Sequence, residues 1–132
     1  MKKDIPVKKV TDVAIAALPN AEDPQFWDVY LLNLKEDALH NVLITSRGYG
    51  NIDNEKRETT QLRYFYEVIG PEMAVKVELL DSNLFLLANE YWISFNYNNY
   101  MYDRKYVFMP GSFLETNYTM LPIINQLGIM IK

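Results

Sequence analysis

Two short apolar runs, at residues 28–34 and 41–46, constrain the fold of this chain more than any other feature. Each run is rich in aliphatic and β-branched residues and is bounded by turn-forming residues, which is the pattern of a β-strand. The segment between them, KEDALH, is mainly polar. Asn33 and Asn41 flank it, and a short amide side chain can bond nearby backbone where the chain turns. The pattern predicts a central β-hairpin.

The size and composition of the chain exclude several classes of protein. A chain of 132 residues suits one domain, so we expect a single domain over residues 1–132. Residues 111–132 are apolar enough to be a docked C-terminal extension of that domain. Because the chain has no cysteine, it has no disulfide, thiolate metal site or cysteine nucleophile.

The charge pattern and hydropathy bear on the partners and the location. The formal net charge is −4, and the lysines and arginines are scattered, whereas binding to a phosphate backbone needs clustered cations. The sequence contains neither a run of about 18 apolar residues nor the apolar stretch of a secretory signal. We therefore expect a cytoplasmic protein that binds neither nucleic acid nor a membrane.

Further strands are predicted on either side of the central hairpin. Residues 7–18 form a first strand candidate. The stretch 47–58 is polar and contains two glycines, so it is predicted to be a long exposed connection. Residues 59–69 fit both helical and strand spacing, and we favour a strand because β-branched and aromatic residues dominate.

The clearest alternation in the sequence lies at residues 75–79. Val75, Val77 and Leu79 are predicted to face the core of the protein. Lys76 and Glu78, which alternate with them, are predicted to face water. This pattern is typical of a strand that is buried on one face.

A second hairpin is predicted around the dipeptide Asn98-Asn99, which separates two strand-like runs. Asparagine tolerates the positive φ angles of a tight hairpin turn better than most residues. In the first of these runs, Tyr91, Ile93 and Phe95 share one face, which we assign to the core.

About seven short antiparallel strands with regular turn signals predict a mainly β protein, specifically an immunoglobulin-like β-sandwich. One detail supports the finer assignment. Tyr91 has the position of the tyrosine that enters the sixth strand of such folds, where its hydroxyl bonds back to the chain. An ordinary strand tyrosine is the alternative interpretation.

Four segments of the chain resemble a group of short uncharacterised bacterial proteins. They are VYLLNLKEDALHNVLITSRGYG, TTQLRYF, NEYWISF and YDRKYVFMPGS. Some members of that group carry the name phenylalanyl-tRNA synthetase alpha subunit. A class II synthetase catalytic domain requires a far larger chain with arginines that grip ATP, and the four arginines here match no such motif. We therefore expect that name to be an error.

The sequence contains no recognisable catalytic or metal-binding pattern. The single histidine, His40, has Glu36 and Asp37 nearby in sequence, but a general base also needs an oriented partner and a pocket. The acidic residues of 53–55 lack the spacing and the glycine of a calcium loop. We predict no catalytic residue, no cofactor and no metal site.

Two functions from different classes remain. The first is a non-catalytic protein-interaction module that presents Tyr- and Arg-rich loops or a sheet face to a protein partner or to a second copy of the chain. Arginine and tyrosine anchor many interfaces. The candidate interaction surface comprises Arg47, Tyr49, Tyr97, Tyr100 and Tyr102. The alternative is a small enzyme or ligand carrier, with a pocket between the sheets or beneath residues 47–58.

Overall fold

The computed structural model describes residues 9–132, which form two antiparallel sheets packed face to face. The described part of the chain has ten strands: β1 (Val13–Pro19), β2 (Phe26–Asn33), β3 (Leu39–Ile52), β4 (Glu55–Glu58), β5 (Leu62–Ile69), β6 (Met73–Asp81), β7 (Ala88–Tyr97), β8 (Tyr100–Phe108), β9 (Thr119–Met120) and β10 (Leu127–Ile131). Two short 3-10 helices, Ser82–Leu86 and Glu115–Asn117, complete the secondary structure. The predicted mainly β sandwich is confirmed, and its immunoglobulin-like character stays a prediction.

Each sheet contains five strands. In the first sheet the order is β6-β2-β1-β10-β9, and in the second it is β4-β3-β7-β8, with β5 also paired to β3. Aliphatic and aromatic side chains from both sheets meet in one main core. A smaller cluster lies on the other face of β1 and β2, where Leu121 covers Ala14, Ala16 and Leu32. The first sheet is therefore buried on both faces near its centre.

The predicted central hairpin is wrong, although both of its strands exist. β2 pairs with β1 and β6 in one sheet, whereas β3 pairs with β4, β5 and β7 in the other. The connection between β2 and β3 crosses from one sheet to the other. Asn33, which is fully buried, fixes this crossing because its amide donates to the carbonyl oxygens of Asp37 at 2.9 Å and Gly70 at 2.8 Å.

The stretch 47–58 is a hairpin rather than a long connection. β3 continues to Ile52, and β4 returns alongside it after a turn at Asp53 and Asn54. Both turn residues have positive φ angles, 52° and 65°, which Asp and Asn adopt more readily than most residues. Asp53 and Asn54 therefore form a tight turn, which the polar composition of the stretch did not reveal.

The second predicted hairpin is confirmed. β7 and β8 are joined by Asn98 and Asn99, with φ angles of 52° and 65°, and Tyr97 pairs with Tyr100. The predicted inward face of β7, with Tyr91, Ile93 and Phe95, is buried. Residues 62–69 form a strand, as favoured. Of the predicted first strand, residues 13–18 lie in β1, and residues 7 and 8 lie outside the described part of the chain.

The alternation predicted along β6 is broken by a bulge. Tyr30 pairs with Lys76 and Val29 pairs with Glu78, so Val77 is an additional residue on β6. A bulge shifts the phase of the side chains that follow it. As a result Leu79 is 54% exposed, Leu80 is buried, and Glu78 turns toward the second sheet. The predictions that Leu79 faces the core and that Glu78 faces water are wrong.

The C-terminal residues are integrated into the first sheet. β10 lies between β1 and β9, with Ile129 paired to Ala17 and Ile131 paired to Ile15. Gly128 makes the close approach possible, because a Cβ there would lie 2.5 Å from the carbonyl oxygen of Ala17. In the described part of the chain, no helix has the length and apolar character to span a membrane.

Candidate functional site

The outer face of the second sheet carries aligned rows of side chains. One row runs from Phe65 on β5 through Leu43 on β3 to Ser94 on β7. The next row contains Thr45 and Trp92, which pair across β3 and β7. Because strand neighbours on one face lie about 5 Å apart, these side chains form a continuous surface.

Four large apolar residues on this face are open to solvent, and we call them the outer patch. Their exposed fractions are 39% for Leu43, 62% for Phe65, 43% for Trp92 and 63% for Met101. A depression of about 400 Å³ is lined by Leu43, Trp92 and Met101, together with polar side chains. Single exposed apolar residues are ordinary, whereas a contiguous set of them is a candidate interaction surface.

Cationic side chains border the outer patch. The ammonium group of Lys105 lies 4.6 Å from the centre of the Trp92 ring, and the indole N–H of Trp92 donates to Asp103. Arg63 also lines the depression. Among residues 9–132, neither Arg63 nor Lys105 forms an ion pair with a carboxylate. Within the described residues, the rim of the patch therefore carries two cations that form no ion pair, although Asp103 also lines the depression.

Two of the five predicted surface residues, Arg47 and Tyr49, lie together on β3. Arg47 Nε is 3.1 Å from Glu90 Oε2, and the Tyr49 hydroxyl donates to Glu90 Oε1 at 3.3 Å. The guanidinium carbon of Arg47 is 4.8 Å from the centre of the Tyr49 ring. Burial, followed by the Glu90 charge, raises the pKa of Tyr49. Both side chains thus cover Glu90, which is 5% exposed.

The other three, Tyr97, Tyr100 and Tyr102, lie at the opposite end of β7, beside the Asn98-Asn99 turn. Tyr102 stacks on Phe95 at 5.2 Å between ring centres, and both Tyr97 and Tyr102 pack against the main core. The Tyr97 hydroxyl donates to Asp37 at 3.1 Å. Tyr100 is 41% exposed. The structure does not bring these tyrosines together with Arg47 and Tyr49.

A polar cluster that the sequence did not predict lies between the two sheets. Glu78 of β6 accepts hydrogen bonds from Ser46 Oγ at 3.0 Å, from the Tyr64 hydroxyl at 2.6 Å and from the Tyr91 hydroxyl at 2.7 Å. We call these four residues the Glu78 cluster. Of the two interpretations of Tyr91, this bond fits an ordinary strand tyrosine, because the hydroxyl donates to a carboxylate of the other sheet rather than back to the chain.

The electrostatics of the Glu78 cluster keep the tyrosines protonated. Burial, followed by the charge of Glu78 and a hydrogen bond to it, raises the pKa of Tyr91 well above its ordinary value. Burial and the hydrogen bond to Glu78 likewise raise the pKa of Tyr64. Both hydroxyls are therefore donors at neutral pH.

A pocket of about 210 Å³ opens beside the cluster. Its polar lining includes Ser46, Glu78 and Tyr91, and its apolar lining includes Leu80 and Leu84. It lies between β3 and β7 of the second sheet and β6 of the first sheet. A small enzyme or ligand carrier, the alternative function, would require a pocket in this position.

No family model, curated protein or solved structure matches this chain. The resemblance to short uncharacterised bacterial proteins, and the view that their synthetase name is an error, stay predictions.

The remaining polar residues that the sequence suggested lie apart. His40 is exposed on β3, and its neighbours in sequence, Glu36 and Asp37, are exposed in the crossing connection. Within residues 9–132, no three histidine or acidic side chains are grouped so that they could hold a metal ion.

Proposed function

We propose that this chain is a non-catalytic protein-interaction module whose contact surface is the outer patch. The exposure of Leu43, Phe65, Trp92 and Met101 on one aligned sheet face is the observation that carries this proposal. Burying such side chains against a partner removes apolar surface from water, which is the main driving force of association. The cytoplasmic location expected from the sequence belongs to the same proposal.

The charges around the patch favour a partner protein that presents carboxylates around an apolar centre. Arg63 and Lys105 lack acidic partners within residues 9–132, so carboxylates of a bound protein can pair with them. On the same face, Asp103 is engaged by Trp92 and Glu90 is engaged by Arg47. If a second copy of the chain paired through this face, the cations of each copy would meet the cations of the other, together with carboxylates that already have partners. A second copy is therefore less complementary to this face than an acidic protein.

Arg47 and Tyr49 extend this surface along β3. Their side chains are held by Glu90, so little conformational entropy remains to be lost when a partner binds. Rigid arginine and tyrosine side chains are frequent among the residues that dominate interface energies. Tyr97 and Tyr102, at the far end of β7, have a packing role in this proposal.

The experiment compares two variants as bait in an extract of the organism that makes the protein. Phe65→Glu places a negative charge in the patch, and Leu114→Glu makes the same change at a residue that is 60% exposed but outside the patch. We expect one protein with acidic surface residues to be retained by the wild type and by Leu114→Glu but not by Phe65→Glu. Binding of the purified pair should weaken as salt is raised.

The same partner retained equally by both variants would contradict the proposal. Analytical ultracentrifugation of the purified chain tests whether a second copy of the chain covers the outer patch. A dimer that Phe65→Glu dissociates and Leu114→Glu does not would replace the acidic partner by a second copy of this chain.

A further inference from the structure

Glu78 is half-buried between the sheets, and within residues 9–132 the hydrogen bonds that its carboxylate accepts all come from hydroxyl groups. Ser46, Tyr64 and Tyr91 reach it from three different strands of the second sheet, β3, β5 and β7. No lysine or arginine within residues 9–132 forms an ion pair with Glu78. Arg47, which lines the same pocket, is paired with Glu90. The cluster therefore holds a carboxylate whose charge no described cation neutralises.

The carboxylate retains capacity for another donor. An ionised carboxylate has two oxygens and about four lone-pair sites. Oε1 accepts from Ser46 and Tyr64, whereas Oε2 accepts from Tyr91 alone. Oε2 therefore has room for one further N–H group, and Glu78 lines the pocket from which such a group would approach.

The pocket exists in part because residue 48 has no side chain. A Cβ at Gly48 would lie 3.2 Å from Asn89 Oδ1 and 3.1 Å from Thr59 Cγ2. Within residues 9–132, no donor is bonded to Asn89 Oδ1, although the amide nitrogen of Asn89 donates to Leu84 and Leu87. The pocket thus offers a second acceptor besides Glu78.

The apolar wall of the pocket determines the rest of the ligand. Leu80 on β6 is buried, and Leu84 in the 3-10 helix Ser82–Leu86 is half-buried. Leu62, which is 47% exposed, also lines it. A volume of about 210 Å³ lies below the range of pockets for drug-sized ligands, roughly 300–1,000 Å³. The ligand is therefore small.

We propose that this pocket binds a small primary amine in its ammonium form. The ammonium group donates to Glu78 Oε2 and Asn89 Oδ1, and a short apolar chain contacts Leu80 and Leu84. A divalent metal ion fits less well, because such ions take several oxygen ligands and the pocket has one carboxylate. This site is separate from the outer patch, so it extends the function proposed above.

The test is a titration of the full chain with n-butylamine, which is protonated at neutral pH, followed by two-dimensional ¹H–¹⁵N NMR. We expect saturable shifts of the backbone amides of Ser46, Gly48 and Asn89. The uncharged isostere 1-butanol should bind at least about tenfold more weakly, because a charge-assisted hydrogen bond is stronger than a neutral one. Equal affinity for the alcohol, or shifts that do not saturate, would overturn the proposal.

Two variants locate the site. Glu78→Gln retains the shape of the side chain without its charge, and it should weaken butylamine binding by at least about tenfold. Glu115→Gln, at an exposed residue, removes the same charge elsewhere and should leave the affinity unchanged. Gly48→Ala places a methyl group in the pocket and should weaken binding although Glu78 is intact. Circular dichroism identifies variants that fold.

If Glu78→Gln does not fold, Gly48→Ala decides the matter. Wild-type affinity in every folded pocket variant would show that the amine binds elsewhere and would overturn the proposal.

Discussion

The hydroxyl of Tyr91 donates a hydrogen bond to the carboxylate of Glu78, at 2.7 Å, across the gap between the two sheets. Tyr91 lies on β7 of the second sheet and is 1% exposed, whereas Glu78 lies on β6 of the first sheet. Glu78 is half-buried, and a charge partly withdrawn from water is costly unless hydrogen bonds replace that water. The Tyr91 hydroxyl therefore stabilises both the carboxylate and the packing of the sheets against each other.

Tyr91→Phe should lower the stability of the protein. The substitution retains the ring and removes one of the three donors to Glu78, so we expect the free energy of unfolding to fall by about 1.5 to 3 kcal/mol. Urea denaturation followed by circular dichroism measures this change. Tyr118→Phe is the control, since within residues 9–132 the Tyr118 hydroxyl has no hydrogen-bond partner. Equal losses in the two variants would contradict the role assigned to Tyr91.

The stability should fall at alkaline pH as Tyr106 ionises. Burial raises the pKa of Tyr106 from 10.0 to about 12, and its hydroxyl donates to the carbonyl oxygen of Val13 at 2.6 Å. Because the folded state holds this proton more tightly than the unfolded state, the stabilisation is complete below pH 10 and is lost as pH rises toward 12.

The loss attributable to Tyr106 should be about 3 kcal/mol, since one pKa unit corresponds to about 1.4 kcal/mol. Urea denaturation at several pH values between 10 and 12 should record about 2 kcal/mol of it, because half of the folded molecules still hold the proton at pH 12. Tyr106→Phe should be less stable at neutral pH and should lose less stability over the alkaline range. A variant that loses as much as the wild type would show that Tyr106 does not carry this dependence.

The turn between β7 and β8 depends on the positive φ angle of Asn99, 65°. A β-branched side chain is strained in that conformation, so Asn99→Val should lower the free energy of unfolding by about 1 to 3 kcal/mol. Asn99→Gly retains access to the conformation and should change stability by less than about 0.5 kcal/mol. Thermal denaturation distinguishes the two. Similar melting temperatures would show that the turn differs from the one described.

Gly128→Ala should disrupt the pairing of β10 with β1. The added Cβ would lie 2.5 Å from the carbonyl oxygen of Ala17 and 2.8 Å from Leu121 Cδ1, so backbone must move. We expect a loss of about 2 kcal/mol or more, as in other overpacked cores. Gly70→Ala is the control, because its Cβ would meet only the flexible end of Met73, at 3.3 Å. A tolerated Gly128→Ala would contradict the close packing of β10 against β1.

The features that the sequence predicted are those set by neighbouring residues. The Asn98-Asn99 hairpin requires only local turn chemistry, and the buried face of β7 repeats every second residue from Tyr91 to Phe95. The partners of β2 and β3 depend on contacts distant in sequence, such as the bond from Asn33 to Gly70. Residue patterns identify strands, but they carry little information about which strands pair.

The candidate sites were harder to predict for the same reason. Phe65 and Leu43 become neighbours only through the pairing of β5 with β3. The Glu78 cluster depends on the bulge at Val77, which reverses the phase of an otherwise regular alternation. The bulge could not be predicted from the sequence of β6, because the residues around Val77 follow the apolar-polar alternation of a regular strand.

The most direct test of the account is whether the Glu78 side chain lies between the sheets. Nuclear Overhauser spectroscopy on protein with ¹³C-labelled glutamate reports the protons close to the Glu78 side chain. We predict cross-peaks from the Glu78 methylene protons to the ring protons of Tyr64 and Tyr91. Cross-peaks only to residues of its own sheet, with the carboxylate in water as regular alternation along β6 requires, would contradict it.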